Sequence, residues 1–307
     1  MRQTETALAE LMARDLAGED IKVLMVDGEH MAERCVVVAL AITADGTKKP
    51  VGLWDGSTES KTVVRSLLAD LVERGLTFDD GLLVVIDGAK ALAAAVREVF
   101  GAKALIQRCK LHKQRNIADH LPDKDKDWVD AKLVKAFGHP DPKHGLHNAK
   151  SLAAQMDKNY PSAAASLREG LEEMFTVSRL GIDGRLARTL TTSNPIESMI
   201  SIARTTNRNV TGRRDGQMVL RWTAAGMLNA ERSFRRIKGY KQMPQLVEAL
   251  RRHAHPDTVT DAESVGAAAL RAWSAALGPA AVQFDSAPRD FILNADSAGL
   301  RDPVATE

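Results

Sequence analysis

Two aspartates stand where a short apolar run stops. Ile21-Lys22-Val23-Leu24-Met25-Val26 leads into Asp27-Gly28, and Leu82-Leu83-Val84-Val85-Ile86 leads into Asp87-Gly88. Runs this short, rich in β-branched residues and ended by glycine, have the pattern of buried parallel strands rather than helices. An acid at the C-terminal lip of such a strand sits on the edge where open α/β sheets collect ligands and catalytic groups. If the two strands are neighbours, about 5 Å apart, their carboxylates converge, and like charges so placed require a cation or a shared proton between them. At neutral pH a cation is the expected solution. Glu197, in Thr191-Thr192-Ser193-Asn194-Pro195-Ile196-Glu197, offers a third carboxylate from a later helix. Three such acids suit phosphodiester cleavage and transfer with two divalent ions. Magnesium fits all-oxygen ligation, and manganese should substitute for it.

Each acid also has a plainer reading. Asp-Gly after a strand is often only a turn. Asn194 and Glu197 fit the N-cap and N3 positions of a capping box, with Pro195 as the first helical residue. The two roles are compatible, because a helix N-terminus also holds a carboxylate in place.

The surrounding pattern supplies the elements that would position these groups. Residues 1–20 form one amphipathic helix on the spacing of Leu8, Leu11, Met12 and Leu16. The Asp27 strand is followed by a strand over Arg34 to Ile42, a hairpin turn at Ala44-Asp45-Gly46-Thr47 and a returning strand from Lys49 to Trp54. A helix from Glu59 to Arg74 then leads to the Asp87 strand, a right-handed parallel crossover. Another helix (Ala89 to Phe100), a short strand (Ala104 to Gln107) and a helix from Lys110 to His120 follow. Residues 121–190 are charged, Ala-rich and strand-free, with helices expected over Asp127 to Phe137, His147 to Lys158 and Ser162 to Phe175. Residues 191–252 return to the core with the Glu197 helix, a basic stretch and an apolar helix, and 253–307 are expected to be a loosely held tail. This order is that of an α/β, ribonuclease-H-like mixed sheet with an all-helical insertion before the last catalytic helix. In that fold the first and fourth strands lie side by side.

The totals narrow the classes. The 307 residues carry a net charge of only +2, so any attraction to nucleic acid must come from local clusters. Two such clusters flank the proposed site: Arg108, Lys110, Lys113 and Arg115 around Cys109-x-x-His112, and Arg204, Arg208, Arg213 and Arg214 beyond Glu197. Their position favours phosphate contacts on one DNA-facing surface. Two cysteines, no signal peptide and no apolar run of membrane-spanning length lead us to expect a cytoplasmic or nucleoid-associated protein with no membrane partner. Cys109-x-x-His112 is half of a zinc pattern, but with no second pair a structural zinc is not expected. Only Tyr160 and Tyr240 are available as tyrosine nucleophiles, and neither sits in a motif.

Taken in order, VDG at 26–28, VIDGAKAL at 85–92, IQRCKLHKQRNI at 106–117 and TTSNPIESMIS at 191–201 resemble the bacterial insertion-sequence transposases related to the plant Mutator elements. The resemblance runs from about residue 5 to about residue 253. It implies an Asp-Asp-Glu triad on Asp27, Asp87 and Glu197, with Cys109 and His112 as a companion motif that positions the strand end beside the DNA. It also implies two magnesium ions, double-stranded DNA (terminal inverted repeats and target) as the partner, and a homo-oligomer on that DNA. Full-length relatives carry a DNA-binding region ahead of the first catalytic strand, and here a short helix stands in its place. Three alternatives remain at this level. A nuclease or resolvase would use the same site without strand transfer. A truncated transposase would bind DNA and inhibit. A phosphotransferase of the actin and sugar-kinase architecture would want a Gly/Thr-rich loop where Glu29-His30-Met31-Ala32 stands.

Overall fold

The computed structural model describes residues 2–31, 34–56, 60–206 and 216–256. Helix α1 (Arg2–Met12) precedes a meander of β1 (Ile21–Met31), β2 (Arg34–Thr43) and β3 (Lys48–Gly56). Then come α2 (Lys61–Glu73), β4 (Leu82–Ile86), α3 (Lys90–Phe100) and β5 (Ala104–Arg108). The five strands form one sheet in the order β3-β2-β1-β4-β5. The meander pairs are antiparallel, whereas β4 is parallel to both β1 and β5. The two aspartate-bearing strands are therefore neighbours, as expected, in register from Val23↔Leu83 to Val26↔Ile86.

One boundary differs from the expectation in a way that matters. β1 does not stop at Asp27 but continues to Met31, paired with β2 from Asp27↔Val38 to Met31↔Arg34. Only its β4 side ends at Val26. The polar residues Glu29 and His30 break the apolar pattern, yet the hairpin partner still supplies the ladder bonds that keep the segment extended. Asp27-Gly28 is thus strand, and the turn reading fails there.

Alternation sorts the sheet into two faces. Val23, Met25, Leu83 and Val85 pack on one face with Leu11 of α1 and with later helices; Leu24, Val26, Val84 and Ile86 pack on the other with α2 and α3. The strand-free stretch is helical, as its composition indicates: α4 (Lys110–Ala118), α5 (Asp123–Phe137), α6 (Pro142–Met156), α7 (Pro161–Arg168), α8 (Thr176–Arg179) and α9 (Gly184–Leu190). A third core joins Ile117 to Val129, Leu133, Leu152, Met156, Leu167 and Phe175. The helix expected over Ser162 to Phe175 breaks at Gly170. That residue has φ +62°, and an added Cβ would overlap the Arg108 side chain. The chain closes with α10 (Asn194–Thr206), α11 (Gly216–Glu231) and α12 (Met243–Ala254). Most of the expected tail, from residue 257, lies outside the described residues. No described helix is long and apolar enough to cross a membrane.

The β2–β3 hairpin shows how one turn is held. The Asp45 carboxylate accepts from the Thr43 hydroxyl (2.5 Å), the Thr47 amide (3.0 Å) and the Thr47 hydroxyl (2.8 Å), and Gly46 supplies φ +85°. The Thr43 bond, followed by those from Thr47, lowers the Asp45 pKa to about 2. A depressed carboxylate pKa stabilises the fold above its unfolded value near 3.8, and that contribution fades as the pH falls toward 2. Asp45→Ala is expected to melt below the parent at pH 7, with the difference narrowing on acidification. A difference that does not change with pH would rule the carboxylate out as its source.

Candidate active site

The C-terminal lip of β4 and the start of α10 build the site. Asp27 follows Val26 and Asp87 follows Ile86, so the two aspartates stand one step beyond the last parallel pair. Each lies two residues past a side chain of the same face, Met25 and Val85. That is the face on which α10 lays Ile196, Met199, Ile200 and Ala203. Asp27 is buried at 8 % exposure. Asp87 Oδ1 accepts the Ala89 amide at 2.9 Å, an Asx turn at the head of α3. The turn reading of Asp-Gly is thus correct for Asp87, and it fixes the carboxylate in place.

Glu197 reaches the same region through a chain of hydrogen bonds. The Cys109 amide bonds the Ile86 carbonyl at 2.8 Å, and the Lys110 amide bonds the Thr191 carbonyl at 2.9 Å. These two bonds tie the start of α4 both to the end of β4 and to the segment entering α10. Buried Ser193 then joins three groups. Its hydroxyl donates to the Glu197 carboxylate, lies 3.1 Å from His112 Nδ1 and 3.2 Å from Cys109 Sγ, and its amide approaches the same sulfur at 3.4 Å. The first intrahelical bond, Glu197 N–H to Ser193 C=O at 2.9 Å, makes Ser193 the N-cap, not Asn194. Pro195 is then second in the helix and Glu197 fourth, so the capping-box reading of Asn194 and Glu197 does not hold.

His112 is the hub. Its Nδ1 lies 3.7 Å from Glu197 Oε1, and it feels the charges of both Asp27 and Asp87. The hydrogen bond to Cys109 raises its pKa to about 9; burial works against this, and the fields of Cys109, Asp27 and Asp87 add to it. Burial pushes the Cys109 thiol up, but its bonds with His112 and Ser193 together outweigh that and leave it lowered. The Cys109, His112 and Glu197 ligand atoms all lie within 4.8 Å of one another, close enough to hold a metal ion. The sequence spacing did not show this, because the third donor comes from α10.

The basic stretches behave differently from the expectation. Arg108 is 4 % exposed. It donates through Nε to Glu173 at 2.5 Å, and through Nη1 to the Gly88 carbonyl at 2.6 Å and Glu169 at 3.3 Å. Lys113, equally buried, donates to the carbonyls of Ser166 (2.7 Å) and Glu169 (2.9 Å), and Lys110 to that of Phe137 (2.7 Å). These cations face inward and tie the helical segment to the sheet, so Arg108 and Lys113 do not suit DNA contact. Arg115 is exposed. Arg204 is exposed but paired with Glu29 of β1, Nε to Oε1 2.9 Å. Arg208, Arg213 and Arg214 lie outside the described residues. Ser193 and Glu29 were missed from sequence: serine before a helix is common, and Glu29 lies in strand that the apolar pattern did not reach.

Comparison with known proteins gives the same family that the motifs resemble. A family model described as "Transposase, Mutator family" matches residues 6–234. The transposase for insertion sequence element IS6120 of Mycolicibacterium smegmatis is 33% identical over 62% of this chain and 60% of its own length. The transposase for ISRM3 of Rhizobium meliloti (strain 1021) is 29% identical over 59% of this chain and 44% of its own. That for IS256 in transposon Tn4001 of Staphylococcus aureus is 27% identical over 64% and 52%. The chain thus spans about half the length of the curated relatives it matches. With the family model spanning all five described strands and the whole of α10 and α11, the chain belongs to the Mutator family of transposases.

Proposed function

We propose that this chain is the catalytic region of an insertion-sequence transposase, in which Asp27, Asp87 and Glu197 hold divalent metal ions for phosphodiester cleavage and strand transfer on double-stranded DNA. One observation carries the reading: two aspartates stand on adjacent parallel strands, one step past Val26↔Ile86, and their field reaches His112, beside which α10 sets Glu197. The strand order β3-β2-β1-β4-β5 with β4 parallel to β1 supports a ribonuclease-H-like core made of residues 21–120 and 191–252. Residues 121–190 are its helical insertion, 1–20 its leading helix and 253–307 its tail.

The chemistry of the three carboxylates suits a hard cation, while among the described residues the donor atoms that already lie within 4.8 Å of one another are those of Cys109, His112 and Glu197. Three carboxylates supply only oxygen, and buried Asp27 gains most from a counter-charge. Divalent ions held by Asp27, Asp87 and Glu197 would supply Lewis acidity to the attacking water or DNA 3′-hydroxyl and to the leaving oxygen. The residues provide the rest. Asp27 lies within β1 where its pairing with β4 stops, Asp87 follows the last residue of β4, and the Asx turn at Ala89 fixes the second. Ser193 and His112 hold the Glu197 carboxylate in place at the start of α10, where it would be available to an ion. The Cys109 thiol anchors Ser193 and His112 and stays out of an oxygen-liganded site, since sulfur is a poor partner for magnesium. We further propose magnesium, replaceable by manganese, as the ion, terminal inverted repeats and target as the DNA, and an oligomer as the working form.

The test is to incubate the protein with DNA bearing the element's inverted repeats in Mg2+, in Mn2+ and in EDTA. Cleavage and joined strands in both metals, with neither in EDTA, are the expected result. Cleavage without joining would leave a nuclease or resolvase. No cleavage in any metal would leave a non-catalytic DNA-binding relative.

A further inference from the structure

Arg108 and Lys113, expected to meet DNA, turn inward, yet another set of basic residues stands almost without carboxylate partners. A cleft of about 900 Å³ opens beside the first turn of α10, the turn that carries Glu197, and is bordered there by Asn194, Pro195 and Ser198. Around it stand Lys48 at the start of β3, Arg185 and Arg188 of α9, and Arg235, Arg236 and Lys238 of the loop after α11. No acidic side chain lines it. Arg236 pairs with Asp45 at 3.0 Å, and the other five make no ion pair among the described residues.

The cleft is held in shape from several sides. The Ile237 amide bonds the Gly46 carbonyl at 3.0 Å, which pins the α11–α12 loop to the β2–β3 turn. The Thr189 hydroxyl bonds the Lys238 carbonyl at 3.0 Å and joins α9 to the same loop. Gly239, at φ +86°, lets that loop pass against Leu186, where a Cβ would overlap the backbone. Half-buried Lys48 lies over the Phe234 ring at 4.5 Å. Holding unpaired like charges together costs free energy unless an anion neutralises them, and a regularly charged polymer does so best.

We infer that this cleft, walled by Lys48, Arg185, Arg188, Arg235, Arg236 and Lys238, is a phosphate-backbone track that leads DNA to the Glu197 carboxylate at the start of α10. The inference rests on the proposed function, since it names where the substrate of that site lies. The contacts are to phosphates, so they position the duplex without reading its sequence. Each engaged phosphate releases counterions and steepens the salt dependence of binding.

The experiment measures affinity of the full chain for a labelled duplex by fluorescence anisotropy over a salt series in EDTA, where nothing is cut. The expected result is that Arg185→Gln/Arg188→Gln and Arg235→Gln/Lys238→Gln each weaken binding. Each should also reduce the slope of log K against log salt by about 1.8, from about 0.9 per lost phosphate contact. The control is Lys61→Gln/Arg65→Gln on α2, a pair that shares Glu98 on the opposite face of the sheet. It removes the same charge and should leave the slope unchanged. All three pairs are exposed, and thermal melts confirm that each variant is folded. If the cleft pairs bind with the parent's slope, or the control falls as far as they do, the track is overturned. The two readings fail separately. A protein that cuts in Mg2+ but keeps its slope in the cleft variants loses only the track, and one that binds through the cleft but cuts nothing in any metal loses only the transposase reading.

Discussion

Glu197→Gln is expected to abolish metal-dependent DNA cleavage while the protein melts as the parent does. The amide oxygen of Gln accepts the Ser193 hydroxyl as the carboxylate does, so the start of α10 keeps its bond. What is lost is the formal charge. A divalent ion that stabilises developing charge contributes several kcal/mol, and each 1.36 kcal/mol is tenfold in rate, so a fall of about a thousandfold or more follows. Asp27→Asn and Asp87→Asn should fall as far. Their melting points should stay close to the parent's, because each Asn gives up repulsion from the neighbouring acid together with attraction to His112. Stability of all three should stay within about 1 kcal/mol of the parent. A nicking assay and a melt on the same preparation decide the matter. Cleavage that survives in the Gln variant would return Glu197 to a helix-start role, with Ser193 and His112 as its structural partners.

Arg108→Ala is expected to do the reverse and act on stability. It strips the partner from Glu173, whose side chain is only 15 % exposed, and leaves the Gly88 carbonyl without its donor. Breaking a buried pair from one side costs about 3–5 kcal/mol. For a chain this long that corresponds to a melting point lower by roughly 10 °C. Arg97 also reaches Glu173 from an exposed position, so the loss should lie toward the lower end of the range. Gly88 follows Asp87, so some loss of activity should accompany the loss of stability. The deciding measurement is a urea titration beside a salt series of DNA binding. A variant of parental stability with a shallower salt slope would restore Arg108 to the DNA surface and remove it from the core.

The parts that could be read from sequence were those fixed by local pattern. Two β-branched runs ending on Asp-Gly gave β1 and β4 and, with the crossover helix between them, their adjacency. The turn at Asp45-Gly46 and the strand-free composition after residue 121 were equally local. The misreadings arose where a distant partner decides. Glu29 and His30 are strand because β2 lies beside them. Ser193 and Asn194 are both good N-caps, and the preference of proline for the first helical position pointed to the wrong one; the bond network with Cys109 and His112 selects Ser193. Arg108 and Lys113 read as surface charges because nothing in their neighbourhood shows that Glu169 and Glu173, some sixty residues on, come back to cover them. The basic cleft was invisible for the same reason, being assembled from three separate stretches of chain.

The position of α5 to α9 between the sheet and α10 also sets an order in time. A ribosome that has just delivered β5 has made every described strand, both aspartates and α1, yet Glu197 and the later helices that cover Val23, Met25, Leu83 and Val85 are still to come. At ordinary elongation rates that interval is on the order of ten seconds. A chain abandoned within it lacks one of the three proposed metal ligands and has only α1 to cover that apolar sheet face. Such a fragment is a substrate for chaperones and proteases before it can be a nuclease. On the proposed reading, the long helical detour delays the appearance of cutting activity until synthesis of the core is almost finished.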